Sequence, residues 1–239
     1  MSVISTDPLF WCMAALGLGL VGISKGGFGG GLAIIGVPLI SVAAPVQLAA
    51  AVMLPCLILM DMTGLHGWWG RWSAVQLRRL IPAALLGILL ATLSFHVMTE
   101  DALRILIGAI GVSFGLLWWS KHLGLRRAPE GPIPGPWRTG FWSMVSGFTS
   151  FSVHAGGPPL QVALLPQRLA PEVYAATTVV FFAVVNVAKV VPYYWLDQFG
   201  EEVLWTALIL APVGPLGVRL GIWLNQRISP LWCYRLCYF

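Results

Sequence analysis

The chain has 239 residues, 58% of them hydrophobic and 10% charged, with a mean hydropathy of +0.82 and a formal net charge of +5. Soluble domains carry about 25% charged residues, so this composition excludes a soluble globular domain, a disordered chain and a nucleic-acid-binding protein. It describes a polytopic membrane protein, and continuous rather than alternating apolar runs point to helices, not a barrel.

A membrane crossing takes about 20 apolar residues. The hydropathy pattern predicts apolar blocks at 9–43, 46–68, 79–98, 102–119, 138–166, 171–195 and 201–226, with a stub from 231. The expected fold is all-α, with about seven helices and a partial eighth. The opening MSVISTDPLF lacks the basic residues of a cleavable signal. Two blocks are interrupted: 9–43 at Gly26-Gly27-Phe28-Gly29-Gly30-Gly31, and 138–166 at His154-Ala155-Gly156-Gly157-Pro158-Pro159. A short helix is predicted after each break, and the prolines suit a first helical turn, where an amide has no internal partner. Cys12, Cys56, Cys233 and Cys237 have no metal or redox spacing and read as small core residues. The pairs Trp68-Trp69 and Trp118-Trp119 adjoin basic loops and are expected to anchor the membrane interface.

The breaks recur as a repeat. Gly30-Gly31 and Gly156-Gly157 are 126 residues apart, as are Pro45 and Pro171. Pro82-x4-Gly87 and Pro212-x4-Gly217 are 130 apart, as are Thr99 and Ser229. Two membrane units are expected, 1–119 and 138–239, joined by a solvated linker at 120–137. Loop arginines and lysines (Arg71, Arg78, Arg79; Lys121, Arg126, Arg127, Arg138; Arg168; Arg227) should be cytoplasmic, together with the linker. The N-terminus and the acidic segments around 95–101 and 196–202 should be external. Each interrupted block then enters and leaves on one side, the two from opposite faces, which is an inverted-topology repeat as found in secondary transporters. The alternative is that each block spans as a long tilted helix.

The start of a buried helix presents free N–H groups and a partial positive charge, which favours an anion. Two such starts facing one cavity would form an anion site; the competing reading is that the glycines only permit close packing. Ionisable residues inside apolar blocks are costly and usually functional. Here they are Lys25, Asp61, His154, Lys189 and Arg219. Leaving His154 aside, three cations face one carboxylate, and an anionic substrate would restore the balance. Lys25 and Lys189 could bind that anion or pair with Asp61, which could alternatively take up a coupling proton. His154 could donate a hydrogen bond or a proton, or be structural. Asn186 lies one turn before Lys189, and Arg219 is close enough to the inner face to snorkel. Thr149, Ser150 and Ser152 add hydroxyls near the second break. The substrate-binding candidates are Ser24, Lys25, Gly29, Gly30, Gly31, His154, Gly156, Gly157, Gln161, Asn186 and Lys189, with Asp61 and Arg219 for charge pairing or coupling. No metal-ligand spacing, P-loop or nucleophile elbow is present, so neither an enzyme nor a cofactor is expected.

The runs GISKGGFGGGLAIIGVPLIS and GFTSFSVHAGGPPLQVALLPQRL resemble the paired glycine–proline motifs of the TauE/SafE sulfite exporter family, and NVAKVVPYYW is similar to its second-repeat Asn-x-x-Lys segment. The resemblance covers nearly the whole chain. It implies an inner-membrane permease for sulfite, sulfonates or related anions, with the motif glycines at Gly27, Gly29, Gly30, Gly31, Gly156 and Gly157 and the Asn-Lys pair at Asn186 and Lys189. The second break departs from the pattern by reading HAGGPP, which makes the half-sites unequal. A homodimer is compatible with this reading. Rival functions are an organic-acid importer, a passive anion channel and a membrane biogenesis factor without a substrate.

Overall fold

A computed structural model describes residues 7–28, 31–123 and 135–227. Gly29 and Gly30, most of the linker, and the terminal segment with Cys233, Cys237 and the expected partial helix lie outside the described residues. Within them the chain forms α1 (Pro8–Gly27), a 3₁₀ turn (Gly31–Ile35) leading into α2 (Gly36–Ile40), α3 (Val46–Gly67), α4 (Ala74–Ser94) and α5 (Glu100–His122). After the linker come α6 (Pro136–Val153), α7 (Gly157–Leu164), α8 (Pro171–Trp195), α9 (Glu201–Leu210) and α10 (Val213–Arg227). The all-α expectation holds for the described residues.

Local chemistry sets the helix starts. Asp7 accepts from the Leu9 amide at 2.9 Å, with Pro8 opening α1. Pro136 and Pro171 open α6 and α8 in the same way. Glu100 and Asp101 form the acidic first turn of α5. Glu100 also reaches across to α3, accepting from the Val46 amide at 3.0 and 3.1 Å through its two oxygens. A distant carboxylate thus caps a helix whose own cap residue, Pro45, has no side-chain acceptor.

Among the described residues five stretches are long and apolar enough to cross a membrane: Pro8–Gly27, Val46–Gly67, Ala74–Val97, Pro171–Trp195 and Glu201–Arg227. The last is interrupted at Ala211-Pro212, whereas α4 runs unbroken through Pro82. Leu85, Leu89 and Leu93 of α4, Ile105, Val112 and Leu116 of α5, and Leu204 and Leu208 of α9 all point outward. Water would not tolerate that surface, but lipid solvates it.

The most extensive helix pairings are α1 with α10 and α6 with α4, the first helix of each half against the helix that carries the Pro-x4-Gly glycine of the other. Glycines make both possible. Gly22, Gly26 and Gly27 lie on Gly214, Gly217, Val218 and Gly221, so close that a Cβ on Gly26 would stand 2.2 Å from the Val218 oxygen. Gly87 meets Met144 and Phe148, and Gly147 meets Ala84, where an added Cβ would approach carbonyl oxygens to 2.0 Å. In lipid, where burial supplies little drive between helices, such backbone approach is the main source of packing energy. The recurrent Gly87 and Gly217 of the Pro-x4-Gly motif both serve this purpose.

Three local expectations are corrected. Arg78 and Arg79 do not lie in a loop. Ser73 starts α4 five residues earlier than hydropathy places it, and both arginines stand exposed on that helix. Cys12 is exposed rather than in the core, while Cys56 is buried as expected. Trp68 is not an interface anchor: it is 2% exposed and its indole N–H donates to the Gly26 oxygen at 2.9 Å. Its neighbour Trp69 is exposed.

Candidate functional site

A helix that stops inside a membrane leaves carbonyls that water cannot satisfy. Both breaks solve this with side chains from other helices. At the end of α1, Trp68 donates to the Gly26 oxygen and Asn225 Nδ2 donates to the Gly27 oxygen at 2.5 Å. At the end of α6, the Tyr193 hydroxyl donates to the Phe151 oxygen at 2.8 Å. Thr149 Oγ1 lies 3.1 Å from the Ala155 oxygen, and Ser146 Oγ donates to the Gly156 oxygen at 2.7 Å. His154 ends α6 in the left-handed conformation, with φ 53°. A Cβ on Gly156 would come within 2.7 Å of both the Ser146 oxygen and the Ser150 Cβ, so only glycine fits there.

The two short helices are not equivalent. The segment after the first break opens as a 3₁₀ turn and reaches α geometry only at Gly36. In α7 the first three residues are Gly157, Pro158 and Pro159. Two of them have no N–H, so that first turn offers a single amide, Gly157. This inequality is in line with the HAGGPP reading of the second break.

Between the breaks lies a small cavity lined by Lys25, Ala33, Leu57, Ser150, His154, Gly157, Phe182 and Asn186. Each interrupted segment contributes to it, as do α3 and α8. Behind this lining stand two polar clusters. In the first, Lys25 Nζ is 2.5 Å from Asp61 Oδ1, and Asn186 Nδ2 donates to Asp61 Oδ2 at 2.5 Å. Lys25 also sits 5.7 Å from the Phe182 ring centroid.

In the second, Lys189 Nζ donates to the Ser150 carbonyl at 3.0 Å and the Ser150 hydroxyl at 3.1 Å, and lies 2.8 Å from His154 Nδ1. The Ala50 carbonyl can only accept, so His154 Nε2 carries a proton and donates to it at 2.9 Å, and in the neutral ring Nδ1 accepts from Lys189. The ring also stacks on Tyr193, 6.3 Å between centroids. With both nitrogens committed, His154 positions Lys189 and ties α6 to α3.

Among the described residues the buried charged side chains are Lys25, Asp61 and Lys189. Asp61 is matched by Lys25, and Lys189 meets no carboxylate within hydrogen-bonding reach. Ser24 is fully buried at the end of α1. Gln161 is buried on α7, one turn after Gly157, and its amide nitrogen has no hydrogen-bond partner among the described residues. Arg219 stands on the exposed face of α10 and does not reach the cavity. Of the glycines predicted for the site, Gly157 lines the cavity, Gly156 packs beside it, Gly31 opens the 3₁₀ turn, and Gly29 and Gly30 fall outside the described residues.

Sequence reasoning missed the apolar lining, Ala33, Leu57 and Phe182, which no sequence pattern distinguishes from core. It also undervalued Ser150, although a signal was present: Ser143, Ser146 and Ser150 recur at helical spacing along α6, and all three are buried and hydrogen-bonded.

Known proteins resemble the chain along most of its length. The "Probable sulfite/organosulfonate exporter TauE" of Cupriavidus necator is 26% identical over 236 residues, covering 97% of this chain and 90% of that protein. No solved structure matches the chain. The profile described as "Sulfite exporter TauE/SafE" matches residues 14–239. By that match, over nearly its whole length, the chain belongs to the sulfite exporter TauE/SafE family, whose members are membrane transporters and not enzymes.

Proposed function

We propose that the protein is a secondary transporter that exports small sulfur-containing anions, sulfite or organosulfonates, across a bacterial-type inner membrane. The observation that carries this reading is the buried side-chain nitrogen of Lys189, bonded to Ser150 and His154 and, among the described residues, to no carboxylate, behind a cavity lined by Lys25, Ser150 and Asn186. A buried cation without counter-charge is stabilised by an anion that enters beside it. Family membership and the relative's name support the same cargo.

The transport cycle is alternating access, with the two halves rocking about this cavity near the bilayer midplane. An inverted repeat is supported by the order of elements. A break follows α1 and α6, the long helices α3 and α8 come next, and the Pro-x4-Gly segments in α4 and at the start of α10 follow these. The crosswise pairing of α1 with α10 and α4 with α6 fits the same plan. The linker then faces the cytoplasm and the N-terminus the exterior, as the basic loops require.

Two measurements test this. Vesicles reconstituted with the protein should show saturable sulfite or sulfonate flux; intact protein without flux of either would sink the substrate assignment. Single cysteines at 44 and 168 should label from opposite sides of the membrane, and labelling from the same side would rule out the inverted hairpins.

A further inference from the structure

We propose that the cavity selects monovalent anions, and that Asp61 sets this valence; the proposal rests on the anion-site reading above. Among the described residues the buried ionisable side chains of Lys, Arg, Asp and Glu are Lys25, Asp61 and Lys189, and with all three ionised their sum is a single positive charge. Asp61 does not line the cavity but stands behind two residues that do. It is 2.5 Å from Lys25 Nζ through one oxygen and 2.5 Å from Asn186 Nδ2 through the other. It cancels one cation without blocking the cavity. A sulfonate or a hydrogen sulfite ion brings the buried site to neutrality. A dianion leaves one excess negative charge in a medium that solvates it poorly.

The arrangement has a quantitative signature. Removing a unit negative charge improves binding of any anion, but the free-energy gain doubles for a dianion, because Coulomb energy scales with the ligand's charge. If the monoanion gains a given factor, the dianion gains its square. The ratio of the two affinities isolates the electrostatic role of Asp61 from damage to the shape of the site, which affects both ligands alike.

The test uses the full-length protein in detergent, with ethanesulfonate as a fixed monoanion and sulfate as a fixed dianion, each titrated calorimetrically. The unsubstituted protein should bind ethanesulfonate at least tenfold more tightly than sulfate. In Asp61→Asn the preference should shift toward sulfate by tenfold or more. The double variant Lys25→Met/Asp61→Asn removes the ion pair as a neutral unit and restores the single positive sum. It should bind both anions more weakly yet keep their original ratio within about threefold, and it gives a readout even if Asp61→Asn alone does not fold. Ethanesulfonate binding with an unchanged ratio in Asp61→Asn, or a tenfold change of ratio in the double variant, would overturn the valence proposal and leave the anion site standing. Binding of neither anion by the unsubstituted protein would overturn the anion site and this proposal together.

Discussion

Lys25→Met is expected to destabilise the protein by about 3–5 kcal/mol, the cost of leaving one member of a buried ion pair uncompensated. The carboxylate left behind is Asp61, 2% exposed, with only the Asn186 amide still donating to it. Anion binding should fall by about a hundredfold, because the buried charges then sum to zero and a unit charge nearby is worth a few kcal/mol at the effective dielectric of buried sites. Adding Asp61→Asn should reverse most of both losses. The asparagine keeps an oxygen for Asn186, the stranded charge disappears, and Lys189 again supplies a net cation. Thermal unfolding in detergent and sulfonate titration of the parent and both variants check this. A double variant no more stable than Lys25→Met would refute the view that the pair is compensated as a unit.

Lys189→Met should have the larger effect on function. Lys189 is fully buried, and its ammonium is the cation that Asp61 does not match. Loss of that charge should lower anion affinity by about a hundredfold or more. It also strips the donor from His154 Nδ1, leaving an unsatisfied buried acceptor that costs about 1–3 kcal/mol, whereas the Ser150 carbonyl keeps the His154 backbone N–H. Lys189→Gln separates the two effects: its amide still donates to Ser150 or His154, but it brings no charge. Stability should recover in that variant while binding stays lost, as read by unfolding and by flux into vesicles. Recovery of flux with glutamine would show that Lys189 acts through hydrogen bonding alone.

Much of the site is legible in the amino-acid sequence. Glycine runs inside apolar blocks announce helix breaks, and α1 and α6 do end there, with Gly26 and Gly27 also admitting α10 at close range. The recurrence of Pro-x4-Gly announces paired helix contacts, and Gly87 and Gly217 make them. The roles of individual side chains are less legible. Trp68 resembles an interface anchor because its sequence neighbours are basic and aromatic, yet it turns inward to close the end of α1. Arg219 resembles a site cation because it lies in an apolar block, yet it faces outward on α10. Hydropathy gives depth along a helix but not direction around it. The two prolines of α7 are visible in the sequence, and the missing amides they imply limit that helix start to one donor.

The sequence by itself determined the solvent, the helical class, the places where helices break and the few residues that could carry charge into the membrane. These are local properties, summed along the chain. Only the tertiary structure decided which of those charges cancel. Lys25 and Asp61 lie 36 residues apart, and Asn186 comes from the other half. Their pairing depends on how α1, α3 and α8 turn toward one another, because an ion pair needs contact within about 4 Å. That packing neutralises Lys25 and leaves Lys189 held by Ser150 and His154 as the unmatched cation beside the cavity.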